Sequence, residues 1–218
     1  MSVAAIVPAF DEEKNVGRVV RTLKASRGVG EVIVVSDGST DRTAQEAEAA
    51  GARVIGLREN VGKGGAVKMG AAATRAEILF LCDADFLGLA PEHVERILAP
   101  VLEGRLAMCT GLRDRGPLLT RAIAHLPLLS GERALRREVL DGVPRRFLQG
   151  FRLEMSLNWY CRANRLPYGS VPTLGVGQVR KIEKVGLLRG LAGYAVMVWE
   201  VADAMIRVRF AKKEFLKR

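Results

Sequence analysis

The sequence predicts an α/β protein whose mainly parallel sheet is flanked by helices on both faces. Short apolar runs alternate with stretches whose apolar residues recur at helical spacing, beginning with Val3 to Ala9 and continuing with Val16, Val19, Val20 and Leu23. Polar or glycine-rich clusters follow the apolar runs. Parallel strands joined by right-handed crossovers have their carboxyl ends at one edge of the sheet. We therefore expect a ligand site at that edge.

The elements of the first half follow in order along the chain. Strands are predicted at Val3 to Ala9, Glu31 to Ser36, Arg53 to Leu57, Ile78 to Cys82 and Ala107 to Gly111. After the first helix, further helices are predicted at Thr40 to Ala50, Gly64 to Thr74 and Pro91 to Glu103, where proline fits the first helical position.

Beyond Gly111 the alternation ends. Helical patterns there cover Pro117 to Leu129, Ala134 to Leu140 and Phe151 to Arg165. We expect one domain over residues 1–182, in which 1–111 bind a nucleotide and 112–182 bind an acceptor. Residues 183–218 are predicted to form a basic, amphipathic helical appendage.

Composition and charge narrow the class of protein. The chain has 218 residues, is 49% hydrophobic and carries a formal net charge of +10, which indicates an anionic partner such as a nucleotide, a nucleic acid or an acidic bilayer. The longest apolar candidate for a membrane span, Gly190 to Trp199, is too short, and we expect no secretory signal. Cys82, Cys109 and Cys161 lack metal-binding spacing, so we expect reduced, mostly buried thiols in a cytoplasmic protein.

The first two polar clusters contain carboxylates. Pro8 to Glu13 follows the first strand, and its acids either stabilise the next helix N-terminus or accept hydrogen bonds from a nucleoside. Ser36 to Asp41 follows the second strand, where Gly38 permits a tight turn and Ser39 or Thr40 can cap the next helix. Capping does not require Asp37, which is well placed to bind a base N–H or a ribose hydroxyl.

The third cluster, Arg58 to Gly65, has the composition of a phosphate-binding loop. Glycines before a helix expose backbone N–H groups to an anion, and Lys63 adds a positive charge. The loop lacks the first-glycine spacing and the Ser or Thr of a Walker A sequence, so ATPase chemistry is not expected.

The fourth cluster, Asp83 to Asp85, ends the apolar run Ile78 to Cys82. Two carboxylates at the mouth of a buried strand suit a hard divalent cation that keeps positions open for phosphate oxygens. The alternative is a pair of solvated acids. The four clusters together favour the cation.

In this order and spacing the clusters resemble those of family-2 glycosyltransferases of the GT-A fold, and most closely the dolichyl- or polyprenyl-phosphate sugar transferase-like subgroup. The resemblance is carried by Pro8 to Glu13, Asp37 to Asp41, Asn60 to Gly64 and Asp83 to Asp85. Ser130 to Arg136 and Gly150 to Glu154 look like acceptor-side segments of that subgroup. Members of the subgroup invert the anomeric centre, but retaining relatives have similar donor motifs, so the stereochemical outcome stays open.

The resemblance implies a role for each matching residue. The nucleotide would be bound by Pro8, Ala9, Phe10, Glu12 or Glu13, Asp37, Lys63, Asp83 and Ala84. Asp85 would ligate Mg²⁺ or Mn²⁺ directly, with Asp83 as a second ligand or through water. Leu87 stands where the subgroup can offer a polar ligand, which leaves Gln178 or an all-water shell for the third position.

The acceptor side leaves two alternatives open. Glu154 is either a general base or a carboxylate paired with Arg152 at a helix N-terminus. A phosphate acceptor is already ionised and needs no base. Residues that could hold it, unless they form a solvated face, are Arg113, Arg115, Arg133, Arg136, Arg137 and Lys181.

We therefore predict a metal-dependent glycosyltransferase, with Asp85, Lys63 and Glu154 as catalytic residues. It would move a sugar from a nucleoside-diphosphate sugar to an anionic acceptor, for which a lipid-linked phosphate is one option. The basic C-terminal region would favour peripheral contact with the inner face of a membrane. The sequence specifies neither the sugar, the base nor the oligomeric state.

Two rival functions fit less well. A sugar-phosphate nucleotidyltransferase would have a glycine-rich, arginine-containing loop where this chain has Pro8 to Phe10. A nucleic-acid-binding module would explain the charge but not four acidic or phosphate-type clusters at one edge. We expect no nucleic-acid partner.

Because Leu87 offers no ligand, we expect metal binding to be weak without nucleotide. Titration of Mn²⁺ by electron paramagnetic resonance should show a clearly lower dissociation constant once a nucleoside diphosphate is present. Equally tight binding in both titrations would contradict a site completed by the diphosphate.

Overall fold

A seven-stranded sheet organises the part of the chain that the computed structural model describes, which comprises residues 1–113, 131–148, 152–173, 177–178 and 212–216. The strands of the first half are β1 (Val3–Ala9), β2 (Glu31–Asp37), β3 (Arg53–Leu57) and β4 (Ile78–Leu81). The helices that follow them are α1 (Val16–Ala25), α2 (Thr43–Ala49), α3 (Lys63–Ala72) and α4 (Pro91–Leu102). The predicted alternation of strand and helix is confirmed.

In the later part of the chain strands and helices no longer alternate regularly. The strands are β5 (Phe86–Leu87), β6 (Met108–Arg113), β7 (Arg133–Arg136), β8 (Tyr168–Thr173) and β9 (Gly177–Gln178). The helices are α5 (Arg137–Asp141) and α6 (Arg152–Ala163), with 3-10 helices at Arg145–Phe147 and Lys212–Phe215.

The sheet is mainly parallel, as predicted. Its strand order is β3-β2-β1-β4-β7-β6-β8, and β7 is antiparallel to both of its neighbours. The carboxyl ends of β1 to β4 share one edge, and the register Leu81↔Arg133 places the start of β7 at that same edge. A separate two-stranded antiparallel sheet is formed by β5, which follows β4 in the chain, and β9.

Apolar residues of the sheet alternate between two buried layers. Ala5 and Val7 of β1 pack with α1 and α4 on one face, whereas Ala4 and Ile6 pack with α3, α5 and α6 on the other. The three cysteines are free and buried, as predicted. Burial raises the pKa of the Cys109 thiol to about 11 and that of Cys161 to about 12, so both stay protonated at neutral pH.

Three sequence predictions of secondary structure were wrong in detail. Ala134 to Leu140 is not one helix, because β7 fills the sheet position between β4 and β6 before α5 begins at Arg137. Helix α2 begins at Thr43, later than predicted, because the Asp41 carboxylate accepts the Thr43 N–H and holds a turn there. The acids of the first loop precede α1, which begins at Val16.

Of the predicted C-terminal appendage, the structure describes residues 212–216. They include the 3-10 helix Lys212–Phe215, which packs Phe215 against Phe147 with ring centroids 5.0 Å apart. Asn164 Nδ2 donates to the Phe215 carbonyl at 2.6 Å. The predicted helix Pro117 to Leu129 lies outside the described residues, as does the rest of the appendage. No helix in the described ranges is both long and apolar enough to cross a membrane.

Arg137 fixes the C-terminal end of α3. Its guanidinium donates to the carbonyls of Ala76 at 2.7 Å, Ala71 at 3.0 Å and Thr74 at 2.9 Å. The Ala71 carbonyl lies in the last turn of α3 and also accepts the Thr74 N–H, whereas the carbonyls of Thr74 and Ala76 lie just beyond the helix. Arg137 is thus a structural residue and not a free phosphate ligand.

Replacing Arg137 by Met should lower the free energy of unfolding by about 2 kcal/mol, because three carbonyls lose a charged donor. The guanidinium of its neighbour Arg136 donates to a single carbonyl, that of Gly104 at 3.1 Å, and Arg136 is the matched control. Urea unfolding should show a loss below about 1 kcal/mol for Arg136→Met. Equal losses would refute the capping role.

Candidate active site

The clusters predicted to converge do meet at the carboxyl edge of the sheet, around a cleft of about 430 Å³. This volume is in the range of small-ligand sites. The cleft is lined by Pro8, Ala9, Phe10, Glu12, Asp37, Asn60, Gly62, Lys63, Asp83, Ala84 and Asp85. The ends of β1 and β2, the loops after β1 to β4 and the first residue of α3 supply these residues, because the parallel strands end together there.

Asp37 joins the second loop to the third. It is buried, and its Oδ1 accepts the Val61 N–H at 2.8 Å. Gly38 adopts a φ of +72°, and a Cβ at this position would lie 2.7 Å from the Asn60 nitrogen. Only glycine therefore allows this close approach, which brings the loop after β2 against the loop that carries Asn60.

Asp11 joins the first loop to the second. Its backbone has a φ of +51°, which is uncommon for a residue with a side chain. Its N–H donates to Ser39 Oγ at 3.2 Å, and its Oδ1 accepts the Thr40 N–H at 2.9 Å. Ser39 and Thr40 thus bind the neighbouring loop. The prediction that one of them caps α2 was wrong, because α2 begins only at Thr43.

The same two loops share further hydrogen bonds. The Glu12 N–H donates to Thr43 Oγ1 at 2.7 Å, and the Glu13 N–H donates to Asp41 Oδ2 at 3.1 Å. Glu13 Oε2 in turn accepts the Arg42 N–H at 3.1 Å. Burial tends to raise the pKa of Asp41, but hydrogen bonds from Thr43 and Glu13 outweigh it and lower that pKa. Glu13 therefore has a structural partner and is absent from the cleft lining.

Lys63, the first residue of α3, binds two carboxylates at once. Its Nζ lies 2.6 Å from Asp83 Oδ1 and 2.7 Å from Glu154 Oε1. The three side chains are 29%, 19% and 7% exposed, respectively. Burial alone would lower the pKa of Lys63, but the two carboxylates raise it far above its ordinary value, so the ammonium is charged at every physiological pH.

Arg133 lies beneath this ion pair. It is 1% exposed, and its Nη1 donates to the Glu154 carbonyl at 3.4 Å and approaches Met108 Sδ at 3.8 Å. Burial lowers the pKa of Arg133, although the charges of Glu154, Glu132 and Asp83 act in the opposite direction. Arg133 supports the first turn of α6 from within the core and does not face an acceptor.

The other acceptor residues predicted from the sequence are not gathered at the cleft. Arg136 lies opposite Ile78 at the far edge of the sheet, where it hydrogen-bonds Gly104. The side chain of Arg113 and all of Arg115 and Lys181 lie outside the described residues. The backbone of Gln178 pairs with that of Phe86, the residue after Asp85, and the Gln178 side chain lies outside the described part of the chain.

Oxygen ligands for a divalent cation are available at the cleft. Asp83 and Asp85 both line it, and Asp83 Oδ1 is already neutralised by Lys63. Among the described residues no group of three or more acidic, His or Cys side chains could hold a metal ion alone. This donor set fits a Mg²⁺-like ion, which needs only one or two carboxylates when phosphate oxygens and water complete its shell.

Two features of the site were missed by reasoning from the sequence. The Lys63–Glu154 contact joins residues 91 positions apart, and no local pattern indicates it. Gly131, which packs against the Asp83 carboxylate, was noted only as part of an acceptor-side segment. Its position within the segment Ser130 to Arg136 is the one local feature of the sequence that could have drawn attention to Gly131.

A family model described as glycosyl transferase family 2 matches residues 4–153, which include every residue of the cleft. The chain belongs to this family. The resemblance seen in the sequence is thereby confirmed at the level of the family and of the GT-A fold. Membership supports the predicted glycosyltransferase over the sugar-phosphate nucleotidyltransferase.

Relatives of this chain include glucosyl-3-phosphoglycerate synthases. The protein from Mycolicibacterium smegmatis is 32% identical over 191 residues, which cover 72% of this chain and 62% of that relative. A dolichyl-phosphate beta-glucosyltransferase of Drosophila melanogaster is 37% identical over 109 residues, which cover 43% of this chain and 33% of the relative. The chain thus spans less than two thirds of the length of these relatives.

Solved structures show the same fold. The glucosyl-3-phosphoglycerate synthase from Mycobacterium tuberculosis, in complex with Mn²⁺, uridine diphosphate and glucosyl-3-phosphoglycerate, has a TM-score of 0.71 and 28% identity. The match covers 85% of this chain and 75% of that chain. A complex of the same enzyme with Mn²⁺, UDP-glucose and phosphoglyceric acid has a TM-score of 0.77 and 26% identity and covers 95% of this chain.

The contact between Asp11 and Thr40 can be tested by nucleotide binding. Asp11→Gly keeps the left-handed backbone but removes the acceptor of the Thr40 N–H, so the dissociation constant for a nucleoside diphosphate should rise about tenfold. Asp11→Asn retains an oxygen and tolerates this backbone, so it should stay within about threefold of the parent. Calorimetric titration gives both values, and equal losses would contradict the role of the hydrogen bond.

Lys63→Met should lower the free energy of unfolding by about 2 kcal/mol, because Asp83 and Glu154 lose their shared cation in a largely buried site. A raised lysine pKa stabilises the fold fully below its ordinary value of 10.5. The difference between parent and variant should therefore stay constant from about pH 6 to 9. A difference that shrinks steadily as the pH rises through this range would mean that Lys63 loses its proton there.

Proposed function

We propose that the protein transfers glucose from UDP-glucose to a small phosphorylated hydroxy acid of the 3-phosphoglycerate type, with Mn²⁺ or Mg²⁺ as cofactor. The observation that carries this proposal is the cleft itself, in which Lys63 at the start of α3 stands beside Asp83 and Asp85. Support comes from relatives whose structures hold UDP-glucose, phosphoglyceric acid and Mn²⁺.

The cleft provides a place for each part of the donor. The nucleoside would lie against Pro8 to Phe10 and the buried Asp37, which line the cleft. The diphosphate would lie at Gly62 and Lys63, where the α3 N-terminus and the ammonium both attract negative charge. Asp85, with Asp83, would hold the cation.

Catalysis in this scheme is largely electrostatic. A bound divalent cation supplies positive charge that stabilises the departing diphosphate. Lys63 stays protonated because of its two carboxylates, so it contributes a fixed positive charge at the same place. The loops of the cleft are cross-linked by Asp11 and Asp37, which holds the donor in one orientation for attack at the anomeric carbon.

Glu154 was predicted to be either a general base or a carboxylate paired with Arg152, and its contact with Lys63 favours a third role. Its Oε1 is bound to Lys63, and the residue is not in the cleft lining. We assign Glu154 to positioning Lys63 and not to proton abstraction.

A lipid-linked phosphate is the second candidate acceptor. It is favoured by the match to the Drosophila dolichyl-phosphate enzyme over 109 residues. The small acceptor has the wider support, since the glucosyl-3-phosphoglycerate synthase match covers 72% of this chain. Cytoplasmic placement, contact with an inner membrane face and division at residue 182 remain part of the same proposal.

A transfer assay with radiolabelled UDP-glucose distinguishes the acceptors. With Mn²⁺ present, we expect a labelled anionic product from 3-phosphoglycerate and none from a short-chain polyprenyl phosphate in detergent. Asp85→Ala should reduce turnover by at least about 100-fold, whereas Glu95→Ala, on the surface of α4, should leave it unchanged. Transfer to the polyprenyl phosphate alone would favour the second candidate, and no transfer to either would overturn the proposal.

A further inference from the structure

Gly131 lies directly opposite Asp83. The antiparallel register of β4 and β7 ends with Leu81 paired with Arg133, and two residues beyond this pair in each segment Asp83 and Gly131 lie against each other. Residues opposite each other in antiparallel strands have their side chains on the same face. The Asp83 side chain therefore lies across the position where Gly131 has none.

The contact leaves no room for a side chain. A Cβ at Gly131 would lie 2.1 Å from Asp83 Oδ2 and 2.6 Å from its Cγ. Both distances are far below van der Waals contact. The other oxygen of the Asp83 carboxylate, Oδ1, lies 2.6 Å from Lys63 Nζ.

Backbone conformation does not require a glycine at this position. Gly131 is not among the residues with positive φ, so an L-amino acid could adopt its backbone without strain. The space filled by Asp83 is the remaining reason for a glycine here.

We infer that Gly131 is a positioning residue, which leaves space for the Asp83 carboxylate to reach Lys63 at the cleft. This inference rests on the proposed function where it concerns catalysis. Any side chain at residue 131 would push Asp83 away from Lys63 and disturb the place where the diphosphate would lie. The effect would pass through Asp83 and not through a contact between Gly131 and a substrate.

The test is a double-mutant cycle of Gly131→Ala with Asp83→Ala, measured by thermal unfolding without substrates. Gly131→Ala alone should lower Tm by several degrees through overpacking. In the Asp83→Ala background the clashing atoms are gone, so the second substitution should cost nothing further. Gly56→Ala, where a Cβ would meet no atom within 4 Å, is the matched control and should leave Tm unchanged.

Activity provides the second measurement. Gly131→Ala should reduce kcat/KM for UDP-glucose about 100-fold, whereas Gly56→Ala should not. If Gly131→Ala lowered Tm equally in the parent and in Asp83→Ala, the inference would be overturned, because the glycine would then be needed for its backbone conformation and not for the space that Asp83 fills. Full parental Tm and kcat/KM in Gly131→Ala would overturn it as well. If the Tm values show coupling between Gly131 and Asp83 but the protein transfers no glucose, the proposed function is refuted and the inference about the Gly131–Asp83 contact stands.

Discussion

The ammonium of Lys63, held between the carboxylates of Asp83 and Glu154, is the contact on which the rest of the site depends. It connects the start of α3, the end of β4 and the first turn of α6. Two carboxylates around one ammonium offset the cost of its burial and keep it charged. The Lys63 ammonium therefore joins the strand–helix units of the first half of the chain to α6 of the second half.

The ends of this arrangement are fixed by groups that do not touch the cleft. Arg137 holds the C-terminal end of α3, the helix that begins with Lys63. Arg133 holds the first turn of α6, the helix that carries Glu154. Two arginines that the sequence indicated as phosphate ligands thus serve the geometry of the site, because their partners are backbone carbonyls that no local pattern reveals.

Much of the fold and of the donor cleft could be predicted from the sequence, because both follow from local patterns. Apolar strands such as Ile78 to Cys82 and the polar loops after them define the shared edge of a parallel sheet. The insertion of β7 could not be predicted, because Arg133–Arg136 is a strand only through its antiparallel neighbours. The contact of Lys63 with Glu154 depends on that same long-range packing. The roles of Arg133, Arg137 and Gly131 follow from it too.

The protonation of Lys63, followed by nitrogen-15 NMR of the lysine side chains, tests the central contact most directly. We predict that the Lys63 ammonium stays charged as the pH rises past 10.5, the ordinary lysine pKa, while exposed lysines lose their protons. Lys63→Met identifies the signal by its loss. A Lys63 pKa below 10.5 would show that burial outweighs Asp83 and Glu154, and it would contradict the central claim.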